Sequence, residues 1–226
     1  MDSSRPSLLT PLQRELTEAF FRHEQRMFLT GGGALAGFYF GHRTTEDIDL
    51  FAPPGLDLAE ATRALGDATA ECHATLTAQH THPDFRRFLA RRGEEQCVVD
   101  LVIDRAPMID REKVAFGLVR VDTLREITAN KVCTLLSRSE IKDLVDLSAL
   151  LAAGQSLERG IEDATKKDAG VDPATLAWLL SELTISPEAR LPGGLDPHAI
   201  DTVRQDLVRR LRALAFARTL PPGGST

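Results

Sequence analysis

The sequence predicts an α/β protein in which a small mixed-sheet domain is followed by a helical C-terminal half. Up to about residue 121, short apolar runs alternate with turn signals, and the glycine run Gly31–Gly33 leads into a strand that carries two aspartates. From about residue 122, apolar residues recur with helical spacing between capping signatures. We therefore expect an α/β domain over residues 1–121, a helical domain over 122–220 that completes its cleft, and a disordered tail over 221–226.

The elements of the first half each have a local signal. Apolar positions at helical spacing predict a helix over 11–26, and Gly41 is a suitable end for a short helix that follows the glycines. Pro53-Pro54-Gly55 forces a loop after the aspartate strand, and the turns His82-Pro83-Asp84 and Arg92-Gly93-Glu94 separate later strands. The remaining predicted elements are a first strand at 27–30, a helix at 57–69, and strands at 72–79, 85–91 and 96–103.

Capping signatures divide the second half into helices. Thr123-x-x-Glu126 and Ser137-x-x-Glu140 both have the capping-box spacing. Prolines and a glycine-rich linker separate the later segments. The predicted helices are 123–137, 140–153, 157–168, 173–185 and 198–217.

The composition is that of a globular protein. Of the 226 residues, 42% are hydrophobic and 27% are charged, and the net charge is −6, so a polyanionic partner would need a local basic patch. Three cysteines at no metal-ligand spacing fit a reducing compartment. Because the N-terminus lacks a signal pattern and no apolar run has the length of a membrane span, we expect a cytoplasmic protein without a membrane partner.

The stretch from Leu29 to Phe51 combines two features that suit phosphate and metal chemistry. Consecutive glycines can turn at positive φ and let backbone N–H groups approach an anion. Asp47 and Asp49 are two residues apart, so on a strand they share one face. Adjacent carboxylates repel each other unless a cation lies between them, and Mg²⁺ is held by one or two carboxylates together with substrate phosphates.

This layout resembles the nucleotidyltransferase superfamily that includes DNA polymerase β, and it resembles more closely the AbiEii-type abortive-infection toxins, including the MenT toxins. The pattern of those toxins is two glycines, Ser or Thr, Ala-Leu, and then Arg, Ser and Asp-Ile-Asp-Leu-Phe. It corresponds here to Gly31, Gly32, Gly33, Ala34, Leu35, Arg43, Thr45 and Asp47–Phe51. Gly33 stands where the relatives often carry Ser or Thr, so the hydroxyl found there is absent at this position.

A second block of the resemblance lies in the helical half. The family pattern of Lys, then Arg, then Asp-x-x-Asp-Leu corresponds to Lys131, Arg138, Asp143 and Asp146. Lys131 lies in an otherwise uncharged helix stretch, which suggests that its ammonium points into a cleft and supplies a point charge for a triphosphate. Asp143 and Asp146 share a helix face, and with Lys131 they could meet over the Asp47 strand. The resemblance favours Asp146 as the functional acid, although the sequence leaves both open.

Asp100 lies in an otherwise apolar strand, Cys97–Ile103. A charge there is costly unless it is paired or binds a metal ion, although a strand end that faces water is the alternative. In the superfamily a third carboxylate comes from this strand, so the resemblance makes Asp100 the candidate.

The resemblance implies transfer of a nucleoside monophosphate from an NTP, with release of pyrophosphate. Two Mg²⁺ ions would be held by Asp47, Asp49 and Asp100, and catalysis would use Asp47, Asp49, Lys131 and Asp146. The triphosphate would be bound by Gly31, Gly32, Gly33, Arg43, Thr45 and Lys131. The resemblance further implies the toxin of a toxin–antitoxin or phage-defence pair that modifies tRNA or a protein, with a cognate antitoxin as a possible partner.

The densest basic run, Phe85–Arg92, is consistent with an RNA acceptor or with a charged edge strand. Its arginines are Arg86, Arg87, Arg91 and Arg92.

Two other functions remain open. A small-molecule adenylyltransferase of the antibiotic-modifying kind shares the glycine turn and paired aspartates, but the Lys131 block argues against it. A catalytically inactive binding relative is the other, and intact Asp47, Asp49 and Lys131 argue against it.

Overall fold

The computed structural model describes residues 7–138, 140–191 and 194–219, and the chain divides into two units. The first unit comprises the described residues up to Ala106 together with Asp110–Thr123. The second comprises Pro107–Ile109 and the described residues from Leu124 onward. The tail predicted over 221–226 lies outside the described residues. No helix in the described ranges is long and apolar enough to cross a membrane.

The first unit is built on one seven-stranded sheet. Its strands are β1 (Phe28–Thr30), β2 (Asp47–Ala52), β3 (Thr75–His82), β4 (Phe85–Arg92), β5 (Glu95–Ile103), β6 (Val114–Phe116) and β7 (Val119–Val121). They lie in the order β3-β4-β5-β2-β1-β7-β6. β2 is parallel to β5 and β1 is parallel to β7, whereas the other neighbouring pairs are antiparallel. The predicted α/β class with a mixed sheet is therefore confirmed.

Alternation along the central strands separates an apolar sheet face from a polar one. In β2 the buried Ile48 and Leu50 alternate with the half-buried Asp47 and Asp49. The helices of this unit are α1 (Pro11–His23), α2 (Gly31–Ala34), which continues into a π-helical turn (Leu35–Tyr39), and α3 (Leu58–Glu71). The helices α1 and α3 pack against each other and against β5. Burial of the apolar face beneath these helices leaves the two aspartates on the opposite face.

A hairpin of β6 and β7 packs against the π-helical turn that follows α2. The ring of Phe116 meets that of Tyr39 edge-on, with 5.4 Å between ring centroids, and the Tyr39 hydroxyl donates to the Asp122 carbonyl at 2.7 Å. The buried Lys113 Nζ lies 2.7 Å from Asp122 Oδ1 and 4.1 Å from the centre of the Phe28 ring. The sequence analysis does not predict this hairpin, because its strands are three residues long and three residues are too few to show alternation.

The second unit is helical. It contains α4 (Leu124–Ser137), α5 (Ile141–Ala152), α6 (Leu157–Lys167), α7 (Pro173–Glu182) and α8 (Pro197–Thr219). The helix α4 contacts α5, α6 and α7, and α8 packs against α7 and α5. Buried aliphatic side chains such as Val132, Leu144 and Ile161 form their common core. Each helix lies within a few residues of its predicted range.

The predicted cap at Ser137 is wrong. Ser137 is the last residue of α4, and its hydroxyl donates to the Thr134 carbonyl at 3.2 Å. The helix α5 begins after Glu140, whose side chain makes no capping hydrogen bond. The capping-box spacing alone therefore marked the boundary between two helices without identifying the residue that caps the second.

Candidate active site

The glycine run turns the chain at the end of β1 and brings its backbone against Asp49. Gly31 has φ +65°, and a Cβ built on it would overlap Asp49 Oδ2. A Cβ at Gly33 would lie 3.2 Å from the carbonyl oxygen of Asp47. Glycine is required at residue 31 for two reasons, the left-handed backbone and the carboxylate beside it. The structure thus brings the glycine turn and the paired aspartates together.

Arg43 and Thr45 lie beside the second glycine. A Cβ at Gly32 would overlap Arg43 Nη2 and would lie 3.5 Å from Thr45 Oγ1. Arg43 is 4% exposed, and its Nη1 donates to the carbonyl of Thr44 at 2.9 Å. Thr45 Oγ1 lies 3.4 Å from the backbone nitrogen and from the carbonyl oxygen of Asp47. A buried guanidinium against glycine backbone provides a fixed positive charge where an anion can approach closely.

Five polar residues on neighbouring strands form a row across the polar face of the sheet, called here the cross-strand row. Its members in strand order are Thr30 on β1, Asp49 on β2, Asp100 on β5, Arg87 on β4 and His80 on β3. Each is the register partner of the next. Residues in register on paired strands point to the same face. The sheet therefore aligns Asp100 with the Asp47 and Asp49 side of β2, as the sequence analysis expects.

Asp100 is paired with Arg87 rather than with solvent. Arg87 Nε donates to Asp100 Oδ1 at 2.8 Å, and Arg87 Nη2 donates to Asp100 Oδ2 at 2.7 Å. Asp100 is 5% exposed, so the alternative in which its carboxylate faces water is wrong. The hydrogen bonds that Arg87 donates to Asp100 raise the pKa of Arg87 above its usual range, burial opposes that shift, and the charges of Asp100, Asp47 and Asp49 add to it. Arg87 is therefore a permanent cation close to all three carboxylates.

The other arginines of the basic run do not share one surface. Arg86 Nη1 donates to Thr62 Oγ1 of α3 at 2.8 Å, so this side chain lies on the helix-covered face. Arg92 forms ion pairs with Glu15 and Glu95. Only Arg87 and Arg91 are on the face of the two β2 aspartates, because side chains alternate along β4. β4 is flanked by β3 and β5, so the edge-strand interpretation of this run is wrong.

The residues of this face fit a divalent cation of the Mg²⁺ type. In the described ranges, no group of three or more His, Cys, Asp or Glu side chains is close enough to hold a metal ion unaided. Mg²⁺ needs fewer protein ligands than that, because one or two carboxylates plus substrate phosphates and water complete its octahedron. The Asp47 carboxylate has no hydrogen-bond or ion-pair partner among the described residues, and Asp47 lies two residues from Asp49 on the same face of β2. The donor set of β2 is therefore suitable for such an ion.

Thr30 is a polar residue of this site that the sequence analysis did not include. It is 3% exposed, and its hydroxyl has no hydrogen-bond partner in the described part of the chain. It precedes Gly31 and is in register with Asp49. A buried hydroxyl without a partner is costly, which suggests that a bound group completes its hydrogen bonding. The sequence signal was only a threonine at the end of the first strand.

In the second unit, Lys131 forms a buried ion-pair cluster with both acids of the Asp-x-x-Asp motif. Lys131 Nζ lies 2.9 Å from Asp143 Oδ1 and 2.6 Å from Asp146 Oδ2. Arg138 donates to both oxygens of Asp143, at 2.8 and 3.0 Å. The side chains of both aspartates are 0% exposed and that of Lys131 is 6% exposed. The lone ammonium expected from the uncharged helix stretch is thus paired within its own unit.

The two acids of this cluster differ in their environment. Burial opposes ionisation of Asp143, but the hydrogen bond from Arg138 and the charge of Lys131 outweigh it and lower the pKa of Asp143 below its usual value. Both oxygens of Asp143 are therefore engaged by cations of the same unit. The preference for Asp146 as the functional acid stays a prediction.

Solved structures are similar to this chain over most of its length. A Helicobacter pylori protein solved as a candidate nucleotidyltransferase matches with a TM-score of 0.58 at 17% identity, covering 93% of this chain and 96% of that one. JHP933 from Helicobacter pylori matches with a TM-score of 0.56 at 19% identity, covering 92% of each chain. MenT4, a nucleotidyltransferase toxin from Mycobacterium tuberculosis, matches with a TM-score of 0.51 at 14% identity, covering 93% of this chain and 84% of that one. The fold is thus that of the nucleotidyltransferase class.

The family follows from the sequence itself. Residues 14–223 match the family model of the nucleotidyl transferase AbiEii toxin of type IV toxin–antitoxin systems. Because this match spans most of the chain, the chain belongs to the AbiEii family of nucleotidyltransferase toxins. No curated protein matches the sequence.

The contact between Gly31 and Asp49 can be tested by adding one methyl group. Gly31→Ala should lower the free energy of unfolding by about 1–2 kcal/mol or more, because an L-residue is strained at positive φ and the new Cβ must displace the carboxylate. Urea denaturation measures the loss. Titration with Mn²⁺ should also show weaker binding, because Asp49 has moved.

Gly66→Ala is the matched control, because Gly66 lies inside α3 and a Cβ at this position would meet only open space. There alanine should be neutral or stabilising by about 0.5–1 kcal/mol. A Gly31→Ala protein with wild-type stability and wild-type Mn²⁺ affinity would contradict the described geometry.

Proposed function

We propose that this AbiEii-family nucleotidyltransferase moves a nucleoside monophosphate from a Mg²⁺-bound NTP to an acceptor hydroxyl, and that β2 and the glycine turn hold the reacting triphosphate. The observation that carries the proposal is the contact between the Gly31 backbone and the carboxylate of Asp49, which lies two residues from Asp47 on the same face of β2. An anion-binding turn and a cation-binding carboxylate pair are thereby adjacent. A nucleoside triphosphate in complex with Mg²⁺ requires both.

The residues divide into those that hold the metal and those that hold phosphate. Asp47 and Asp49 would hold the divalent ions, with Asp100 predicted as a further ligand and two ions predicted in all. When bound, such ions polarise the phosphate and neutralise charge on the leaving group. The glycine backbone, Arg43 and Thr45 would bind the phosphates that leave, because Arg43 and Thr45 lie beside Gly32 in the glycine turn.

The reaction balances with these groups alone. The acceptor oxygen forms a bond to the α-phosphorus while the bond from that phosphorus to the bridging oxygen of the β-phosphate breaks. Pyrophosphate leaves with the electron pair, and the hydroxyl proton passes to a carboxylate or to water. Attacking and leaving oxygens are roughly in line across the phosphorus, so the acceptor enters from the side away from the glycine turn.

Lys131 and Asp146 remain proposed functional residues of the second unit. The family pattern supports them, and the Lys131–Asp146 distance of 2.6 Å supports a joint role. Lys131 would supply positive charge for the triphosphate, while Asp146 would set the position of that ammonium. Asp143, fixed by Arg138 as well, would orient the pair.

The acceptor and the cellular role are parts of the proposal that rest on the family. A type IV toxin–antitoxin family implies an antitoxin encoded with the toxin. tRNA or a protein is the predicted acceptor, and the cytoplasm is the predicted compartment. A small-molecule adenylyltransferase and an inactive binding relative are the outcomes against which the experiments below discriminate.

The carboxylate pair is tested by nucleotide labelling. The protein is incubated with each α-labelled NTP, Mg²⁺, and either total cell RNA or lysate, and the labelled species is identified. Asp47→Asn and Asp49→Asn should each lower labelling by on the order of a hundredfold or more, the scale of losing one preorganised electrostatic contact. Both variants should fold, because neutralising one member of the pair relieves repulsion.

Asp67→Asn serves as the control, since Asp67 is an exposed residue of α3. It should label at the wild-type rate. Undiminished labelling by a folded Asp47→Asn/Asp49→Asn double variant would refute the metal assignment. Wild-type protein that binds NTP but labels nothing would support the inactive relative, and labelling of a low-mass compound alone would support the small-molecule enzyme.

The acids of the second unit should separate into a structural and a functional residue. Asp143→Asn should lower the free energy of unfolding by about 3–5 kcal/mol, because it removes the buried carboxylate that pairs with both Lys131 and Arg138. Asp146→Asn leaves Lys131 paired with Asp143, so it should cost less stability and yet abolish labelling. Lys131→Met should reduce both stability and NTP affinity.

Urea denaturation and NTP titration measure these effects, with Lys142→Met as the control. Lys142 pairs with Glu140 at the surface, so its loss should change stability by less than about 1 kcal/mol. If Asp146→Asn labels at the wild-type rate while Asp143→Asn folds normally and is inactive, the roles of the two acids are reversed.

A further inference from the structure

The Arg87–Asp100 pair occupies the position at which a third metal-binding carboxylate is predicted. The Asp100 carboxylate uses both oxygens on one guanidinium, in a bidentate pair. Such pairs are strong and fix orientation. An Asp100 oxygen could reach a metal ion only if it shared or gave up one of these bonds. The geometry therefore indicates that Asp100 orients the Arg87 side chain.

Arg87 retains donors for another group. A guanidinium has five N–H donors, and Asp100 uses one on Nε and one on Nη2. The remaining three have no hydrogen-bond acceptor among the described residues. The side chain is 44% exposed, and its Cζ lies 5.6 Å from the centroid of the Phe85 ring, which limits its freedom on one side. Arg87 is therefore a fixed cation with an open, donor-rich edge.

The position of Arg87 in the sheet determines which substrate it faces. The glycine turn follows β1, one strand from β2 on one side. Arg87 lies on β4, two strands from β2 on the other side, or about 10 Å at normal strand spacing. With leaving phosphates at the glycine turn, in-line displacement brings the acceptor in from the opposite side. Arg87 is on that side.

We propose that Arg87 binds a phosphate of the acceptor, and that Asp100 is a positioning residue that holds Arg87 rather than a metal ligand. This inference rests on the proposed nucleotidyl transfer, because the side from which the acceptor enters depends on it. It implies an acceptor that carries a phosphate close to its attacking hydroxyl, as a nucleic-acid strand does. The competing interpretation is that Arg87 only neutralises Asp100.

Metal binding separates the two roles of Asp100 without any reaction. Free Mn²⁺ is followed by electron paramagnetic resonance during titration of wild type, Asp49→Asn and Asp100→Asn. Asp100→Asn should bind Mn²⁺ within about threefold of wild type, whereas Asp49→Asn should bind at least about tenfold more weakly. If Asp100→Asn loses affinity as Asp49→Asn does, Asp100 is a ligand and the inference is overturned.

Acceptor binding is measured by fluorescence anisotropy with a labelled short single-stranded RNA in the absence of NTP. A second RNA carries a neutral methylphosphonate at its 3′-terminal linkage. The Arg87→Gln variant should bind the native RNA about tenfold more weakly than wild type, which is the effect of losing one charged hydrogen bond. It should bind the methylphosphonate RNA with the same affinity as wild type. Asp100→Asn should have the same effect as Arg87→Gln, and combining the two should add little. Arg87→Lys should recover only part of the affinity, because it lacks the guanidinium fork.

Arg91→Gln is the matched control, since Arg91 is an exposed arginine four residues along the same face of β4. This substitution should lower the affinity for both RNAs equally, by no more than about twofold. Equal RNA binding by wild type and Arg87→Gln would overturn the inference, and so would a loss confined to NTP affinity, which would assign Arg87 to the triphosphate. If RNA binding depends on Arg87 but the protein labels no acceptor, the proposed function is refuted instead.

Discussion

The carboxylate of Asp49 occupies the space that a side chain at residue 31 would fill, and the polar face of the first unit depends on this contact. Glycine at this position lets the chain turn at positive φ immediately after β1 and start α2 against β2. The hairpin of β6 and β7 then stabilises the other end of the turn through Tyr39 and Asp122. Because β1 and β2 are antiparallel neighbours, any shift of the turn would move Asp49 with it.

Charge balance is the second constraint on this face. The carboxylates of Asp47 and Asp49 on β2 and of Asp100 on β5 would repel one another without compensating cations. Arg87 compensates Asp100, and Asp47 has no protein partner among the described residues. The carboxylate of Asp47 therefore carries a charge that a bound cation can balance, whereas Arg87 neutralises Asp100 on β5. In the second unit, cations of the same unit balance the buried carboxylates. Lys131 pairs with Asp143 and Asp146, and Arg138 pairs with Asp143.

The sequence predicted those features that depend on local chemistry. Pro53-Pro54-Gly55 and Gly93 marked turns that the structure contains, and the Asp47–Ile48–Asp49 alternation identified the polar and apolar faces of β2. Helix ranges in the second half were also accurate, since their apolar spacing extends over several turns. The capping residue at Ser137 was not, because the same spacing occurs by chance inside a helix.

Features that depend on strand register could not be predicted. The pairing of Arg87 with Asp100 requires that β4 and β5 align residue 87 with residue 100, and no local pattern specifies that offset. The separation of Arg86 and Arg92 from Arg87 does not need register, because alternation along β4 alone places them on opposite faces. Thr30 was missed because its significance lies in the absence of a partner for a buried hydroxyl among the described residues, which only a structure reveals.

In the proposed reaction, the two aspartates of β2 and the glycine turn together bind a metal-bound triphosphate. The most direct measurement is a crystal structure with Mn²⁺ and a non-hydrolysable NTP, in which anomalous scattering locates the metal. We expect an anomalous peak within coordination distance of Asp47 and Asp49, with the triphosphate against Gly31–Gly33. A metal and triphosphate bound away from β2, with the Asp49 carboxylate still against Gly31, would contradict it.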